Sequence, residues 1–311
     1  MRTRFEAVII EGQRKGDDMI ELAKKNGIQL KEETLQDVNI GLDFKVVIAE
    51  DINGQEWILR VPRRRDVFLK AQAEKKILEL VNENTKSIQV PNWEVFTEEL
   101  IAYKSLEGQP AVTTDSVTQE TSWVFDVNQA PAEFTKSLAK AMVEIHSISK
   151  EKVAEAGLRV DSKDQLQEMM RQRINRVKEN YSVHESLLER WEAWLSQDDL
   201  WPKETGFIHG DLYPGHMLID SNSKVIGIID WTEAKHMDVS NDFTAHYLLF
   251  GEAELENLIQ EYKAAGGYTW PKMKEHIIEV LSTQAITIAE FAESSGSEGY
   301  KKAAQDMLSQ G

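Results

Sequence analysis

The chain has 311 residues and no cysteine, and its 53 Asp and Glu outweigh 36 Lys and Arg to leave a formal net charge of −17. Cores tend to split beyond about 250 residues, so two lobes or two domains are expected; the missing thiols exclude disulfides, thiolate zinc sites and cysteine nucleophiles and point to a reducing compartment. The acidic balance repels nucleic acid and anionic membranes and attracts cations, a cationic small molecule among them.

The N-terminal stretch "MRTRFEAVIIEGQRKGDD" carries an apolar run too short for an export signal, and no run of about 18 apolar residues exists, so a cytoplasmic location without membrane contact is expected. Next come "FKVVIAED" (44–51) and "EWILRVP" (56–62), β-rich runs joined through Asn53-Gly54, which predicts an antiparallel hairpin. The segment 66–84 spaces Phe68, Ala71, Ile77, Leu78 and Val81 as a helix does, with Asp66 as candidate N-cap. "PNWEVFTEELIAYKSL" reads as two short strands, and Gly108 and Pro110 then break the pattern. From Pro131 onward helical patterns dominate, interrupted by one β island, "GFIHGDLYPGHMLIDSNSKVIGIIDW" (206–231), in which "HMLID" and "KVIGIID" form a hairpin across "SNS". The expected class is α+β, with residues 1–106 as an antiparallel-sheet lobe holding one helix and 107–311 as a larger, mainly helical lobe.

Asp211, His216 and Asp230 bracket that hairpin. Protein kinases place a proton-accepting Asp in a loop, a metal ligand five residues later, and a second, magnesium-binding Asp at the end of a hairpin. Phosphoryl transfer needs this division between a carboxylate near the attacking oxygen and separate ligands for the cation on the triphosphate. Arg60, in "WILRVPRRR", stands where the kinase "V-A-I-K" strand puts its phosphate-binding lysine, and an arginine makes that contact bidentately. Glu74 of the following helix is its candidate partner, with Glu79 as competitor, and Arg63 and Arg64 are secondary phosphate candidates. No Walker-type glycine loop is present; amides near Gly41 and Asp43 are left to cap the phosphates.

"HGDLYPGHMLID" followed by "IGIIDW" resembles the aminoglycoside phosphotransferase family, and within it the macrolide 2′-phosphotransferases; the likeness in element order covers nearly the whole chain. The resemblance implies a two-lobed, protein-kinase-like fold and transfer of the γ-phosphate of GTP, or ATP, with Mg2+, to the 2′-hydroxyl of the desosamine of a macrolide such as erythromycin. It assigns Asp211 as catalytic base, His209 as the residue orienting that loop, and His216 and Asp230 as metal ligands. His216 departs from the Asn that most of the family carries, and it is the local feature shared with macrolide enzymes. Arg60, Glu74, Gly41 and the connector Ala102, Tyr103, Ser105 and Leu106 are expected to hold the purine nucleotide, and Asp242 to brace the loop from a helix start. Asp238 is a candidate cap of that helix, and the chain is expected to act as a monomer. An aminoglycoside kinase shares every one of these residues; a protein kinase is disfavoured by "IDWTEA" in place of "DFG…APE", and a pseudokinase by the intact set.

Overall fold

The structure, a computed structural model, describes residues 18–38, 43–115, 118 and 120–310. It opens with a helix, α1 (18–25), and an antiparallel sheet in the order β1-β2-β3-β5-β4. Its strands are β1 (Gln36–Val38), β2 (Phe44–Glu50), β3 (Glu56–Pro62), β4 (Val95–Phe96) and β5 (Ile101–Lys104). β2 and β3 form the expected hairpin, with Asp51 Oδ1 accepting from the amides of Asn53 and Gln55 inside the turn. Because side chains alternate across a strand, Val47, Ala49, Trp57, Leu59 and Ala102 bury one sheet face against Met19 and Ala23 of α1, and Arg60 is turned to the other.

On that other side lies α2 (Arg65–Asn84), which buries Ala71, Ile77, Leu78 and Val81 together with one charged residue, Glu74. The helix begins one residue earlier than the pattern predicts. Arg64 is therefore the N-cap position, without a side-chain cap, and Asp66 sits in the first turn, where a carboxylate favours the positive end of the helix dipole.

Short strands and helices follow: β6 (Gln109–Pro110), β7 (Val112–Thr114), β8 (Thr121–Trp123), α3 (Ala132–His146), α4 (Lys150–Glu155), α5 (Lys163–Asn180), α6 (Glu185–Ser196), β9 (Gly206–Ile208), β10 (Met217–Ile219), β11 (Val225–Ile228), β12 (Lys235–Met237), α7 (Asn241–Ala264), α8 (Met273–Ser282), α9 (Gln284–Ser295) and α10 (Glu298–Leu308). The β10–β11 hairpin forms as expected and gains β6 as a third strand, while β12 pairs with β9. One core runs from α2 through α3 to the β island and α7; a second joins α5, α6, α9 and α10 around Trp191 and Trp194. Among the described residues no helix is long and apolar enough to cross a membrane.

α7 is not one rod. Asp242 in its first turn and Tyr262 near its end both bond the ring of His146, at 3.1 and 2.9 Å. At 1.5 Å per residue a straight helix would hold them about 30 Å apart. The break is at Gly251, whose φ of 81° and ψ of −177° turn the chain back, so that Phe243 meets Tyr262 with ring centroids 5.2 Å apart.

Candidate active site

The stretch from β9 to the end of β11 is held by bonds within its own turns and by the Asp242 carboxylate. β9 is fully buried and delivers the chain to His209. Gly210 follows at φ +87°, and a β-carbon there would lie 2.4 Å from the Glu233 carbonyl oxygen, so only glycine fits the turn. Asp211 comes next with its side chain 54% exposed. A single 3-10 turn, Pro214–His216, swings the chain into β10, and β11 returns it to Asp230. Asp230 is one of two non-glycine residues with positive φ among those described, at 62°, a conformation that functional positions hold against its cost.

The His216 ring lies between the two carboxylates. Nδ1 is 3.0 Å from the Asp211 carbonyl oxygen, and because a carbonyl only accepts, Nδ1 carries the proton. In the neutral ring the lone pair is then on Nε2, which faces Asp230 Oδ2 at 3.6 Å. A lone pair aimed at a carboxylate is repulsive until a cation stands between them. Among the described residues no group of three or more His, Asp or Glu is arranged to hold a metal alone. His216 and Asp230 offer two ligands, which suits a cation that takes its other ligands from substrate phosphates and water. The Asp230 oxygen is the hard donor that Mg2+ prefers, and the imidazole a softer one.

His209 does not touch the open site. It is fully buried; Nε2 donates to the Ile229 carbonyl at 3.0 Å and Nδ1 accepts the Asp211 amide at 3.2 Å. Burial lowers its affinity for a proton, consistent with this neutral, doubly bonded ring. It stands beneath the turn that presents Asp211, tied both to that turn and to the end of β11. Beneath it, Asp242 accepts the amides of His209 (2.9 Å) and Gly210 (2.8 Å), and His146 Nε2 bonds the same carboxylate. Burial alone would raise the Asp242 pKa, but His146 and these amides hold it below the usual carboxylate range. Tyr262 and His146 complete this brace, and neither was read from the sequence. Asp238 lies two residues before the helix cap: it accepts the Ser240 amide at 3.0 Å and pairs with buried His276 at 2.6 Å.

Across the cleft, Arg60 and Glu74 form the expected bidentate pair, 2.9 and 3.3 Å, with the guanidinium 4.1 Å from the Phe44 ring centroid and 5.3 Å from that of Trp93. Burial works against the Arg60 charge, yet Glu74 outweighs it and holds the guanidinium above its ordinary pKa; Asp230 acts in the same direction, which puts the pair within electrostatic reach of the hairpin end. Glu79 pairs instead with Lys75 at 2.7 Å, Arg64 with Asp43 at 2.6 Å, and Arg63 donates to the Phe44 carbonyl. Tyr103 shares the Arg60 face of the sheet, its hydroxyl pushed up to about 12 by burial, with Glu74 and Asp230 adding to the shift. Ala102 does not sit in a free connector: β5 extends to Lys104, and Ala102 is buried on the opposite face, paired with Leu59 and Val95. Ser105 donates its amide to the Glu56 carbonyl at 2.9 Å, so the connector starts after it. Gly41 lies outside the described residues.

Comparison with known proteins identifies the family and the fold. A profile of the phosphotransferase enzyme family matches residues 34–276. The Bacillus subtilis (strain 168) protein YcbJ, itself uncharacterized, is 37% identical over 275 residues, 88% of this chain and 90% of its own. Among solved structures, the apoenzyme of macrolide 2′-phosphotransferase MphH from Brachybacterium faecium is 32% identical with a TM-score of 0.89, covering 96% of this chain and 99% of the other. A type I macrolide 2′-phosphotransferase is 35% identical with a TM-score of 0.85, over 95% and 97%. The GDP complex of an aminoglycoside 2′-phosphotransferase-IIIa, at 17% identity and a TM-score of 0.73 over 94% and 95%, shares the fold. The antiparallel sheet lobe and the helical portion are those of a kinase-like fold, and the chain belongs to the phosphotransferase enzyme family.

Proposed function

We propose that this phosphotransferase moves the γ-phosphate of GTP, or of ATP, to the 2′-hydroxyl of the desosamine sugar of macrolides such as erythromycin. The observation that carries the reading is the His216 ring held between an exposed Asp211 and Asp230, its Nδ1 tied to the Asp211 carbonyl and its Nε2 free for a cation. The two macrolide enzymes that match over 95% or more of this chain support the acceptor class.

Asp211, on the open side of the turn, accepts the hydroxyl proton as the oxygen attacks phosphorus. Its carboxylate needs no large movement, because the Asp211 amide is pinned to His209 and the two residues before it to Asp242. A bound Mg2+ supplies charge compensation on the phosphates, with His216 and Asp230 as its protein ligands. Arg60, preset by Glu74, offers its guanidinium to a phosphate oxygen, and Tyr103, Ser105 and the connector after them flank the purine. In this reading residues 1–106 serve the nucleotide and 107–311 the acceptor. A phosphate on the desosamine adds charge and bulk where the antibiotic meets the ribosome, which gives cytoplasmic resistance.

The test is to incubate the purified protein with Mg2+ and either GTP or ATP, offer erythromycin and kanamycin separately, and weigh each drug. Erythromycin is expected to gain one phosphate, faster with GTP. A phosphate on kanamycin alone would replace the macrolide with an aminoglycoside acceptor.

A further inference from the structure

Between Asp211 and His216 stands an aromatic residue with no evident duty in the fold. Tyr213 donates its amide to the Asp211 carbonyl at 3.1 Å and accepts the His216 amide at 2.9 Å, so it is built into the same turn as both. Its ring meets that of His216 nearly edge-on, with centroids 4.4 Å apart and planes at 69°. The phenol end of the ring also crowds Gly215: a β-carbon there would come within 2.4 Å of the Tyr213 hydroxyl oxygen and 2.5 Å of two ring carbons. The ring is thus packed by Gly215 and His216, yet the residue remains 39% exposed, and its hydroxyl has no hydrogen-bond partner among the described residues.

The His216 ring that Tyr213 meets lies 3.5 Å from the Asp211 carboxylate and 3.6 Å from that of Asp230, so the Tyr213 ring stands beside both negative groups. The face of an aromatic ring is electron-rich, so ring and carboxylates together form a pocket for positive charge. A methylated ammonium is better suited to it than a bare one. Its charge is spread over carbons that give up water readily, and they pack on a ring.

We infer that Tyr213 receives the substituted ammonium carried on the carbon next to the acceptor hydroxyl. The inference rests on the proposed phosphotransfer to an amino sugar, and it adds the side chain that reads the amine. Asp211 addresses the hydroxyl; Tyr213, two residues on and held by Gly215, addresses the neighbouring nitrogen.

Steady-state kinetics with GTP, Mg2+ and erythromycin on the parent protein, Tyr213→Leu and Tyr213→Phe test this. Loss of the ring should raise the KM for erythromycin about 5- to 30-fold, the range of a desolvated cation–π contact, with kcat changed by less than about twofold. Tyr213→Phe, which keeps the ring, should restore a KM near that of the parent. On an erythromycin analogue lacking the 3′-dimethylamino group, Tyr213→Leu and the parent should have the same KM, and the parent should bind the analogue more weakly than erythromycin. An unchanged KM in Tyr213→Leu, a Tyr213→Phe as poor as the Leu variant, or a full penalty on the amine-free analogue overturns the inference while leaving the macrolide reading intact. If the parent protein does not phosphorylate erythromycin at all, the macrolide reading falls and takes this inference with it. Should Tyr213→Leu not fold, the Phe variant and the analogue comparison on the parent still decide the matter.

Discussion

His146 at the end of α3 gives its Nε2 proton to Asp242 at 3.1 Å, and Asp242 in turn accepts the amides of both His209 and Gly210. The tautomer follows from Asp242, whose carboxylate only accepts: if Nδ1 were the donor, Nε2 would turn a lone pair to it, so Nδ1 accepts from the Tyr262 hydroxyl at 2.9 Å. The turn that presents Asp211 is therefore held by a buried carboxylate using both oxygens. Asp242→Asn replaces one acceptor with an NH2 group facing an amide or an imidazole N–H. We expect kcat to fall about 10- to 100-fold with little change in nucleotide KM, as for other residues that orient a site, and stability to drop by about 1 to 3 kcal/mol. Kinetics and a denaturant melt on the same preparation check both.

Asp211 itself is exposed, so its removal should leave the fold alone. Asp211→Ala is expected to abolish turnover while nucleotide affinity, measured by calorimetry, stays within about threefold, a change below 1 kcal/mol. Retained turnover would remove Asp211 from the role of base.

Glu74→Gln leaves the Arg60 guanidinium buried between Phe44 and Trp93 without its counter-charge. Breaking one side of a buried pair costs about 3 to 5 kcal/mol. The expected result is a melting temperature lower by several degrees and a raised KM for the nucleotide, since Arg60 is no longer preset. A Glu74→Gln protein with parental stability and KM would show that the pair is dispensable.

His246 governs an acid limb of stability. Burial drops its pKa to about 4 in the folded chain, against an ordinary value near 6.5; Phe134 and Phe250 flank the ring and the one carboxylate close by, Glu254, is 3.9 Å away. A group with a depressed folded pKa gives its full stability above its unfolded pKa, and loses it as pH falls from about 6.5 towards 4, because only the unfolded chain takes the proton there. Between pH 7.5 and pH 4.5 this single residue should remove about 2 to 3 kcal/mol. His246→Leu cannot charge, so its loss over the same interval should be smaller by that amount in denaturant melts at the two pH values.

Much of the site could be read because it is local. The turn at 209–216, the hairpin and Asp230 lie in one stretch of sequence; Glu74 was named as partner of Arg60 only by likeness to the kinase lysine–glutamate pair, with Glu79 as competitor, and the contact itself selects Glu74. The brace was hidden for the opposite reason: a histidine in "VEIHSI" has no neighbour in sequence that separates it from a packed core residue, and its partners are 96 and 116 residues away. β6, β8 and β12 escaped because two or three residues cannot show an alternation. In "LIAYK" the pattern for a strand and the expected connector overlap, and the pairing of Ala102 with both Leu59 and Val95 decides for the strand.

The reversal of α7 at Gly251 also sets a schedule. Chains are made from the N-terminus, and a nascent chain that has reached Ala245 already contains Arg60, Asp211, His216, Asp230 and Asp242. It still lacks Tyr262, so His146 Nδ1 is without the hydroxyl that bonds it, and the returning half of the helix has yet to cover Phe243. Competence therefore arrives late in synthesis, after every residue proposed to meet the nucleotide has left the ribosome's active centre, and a chain cut short at the Gly251 turn would be an assembled set of ligands without the frame that holds them in place.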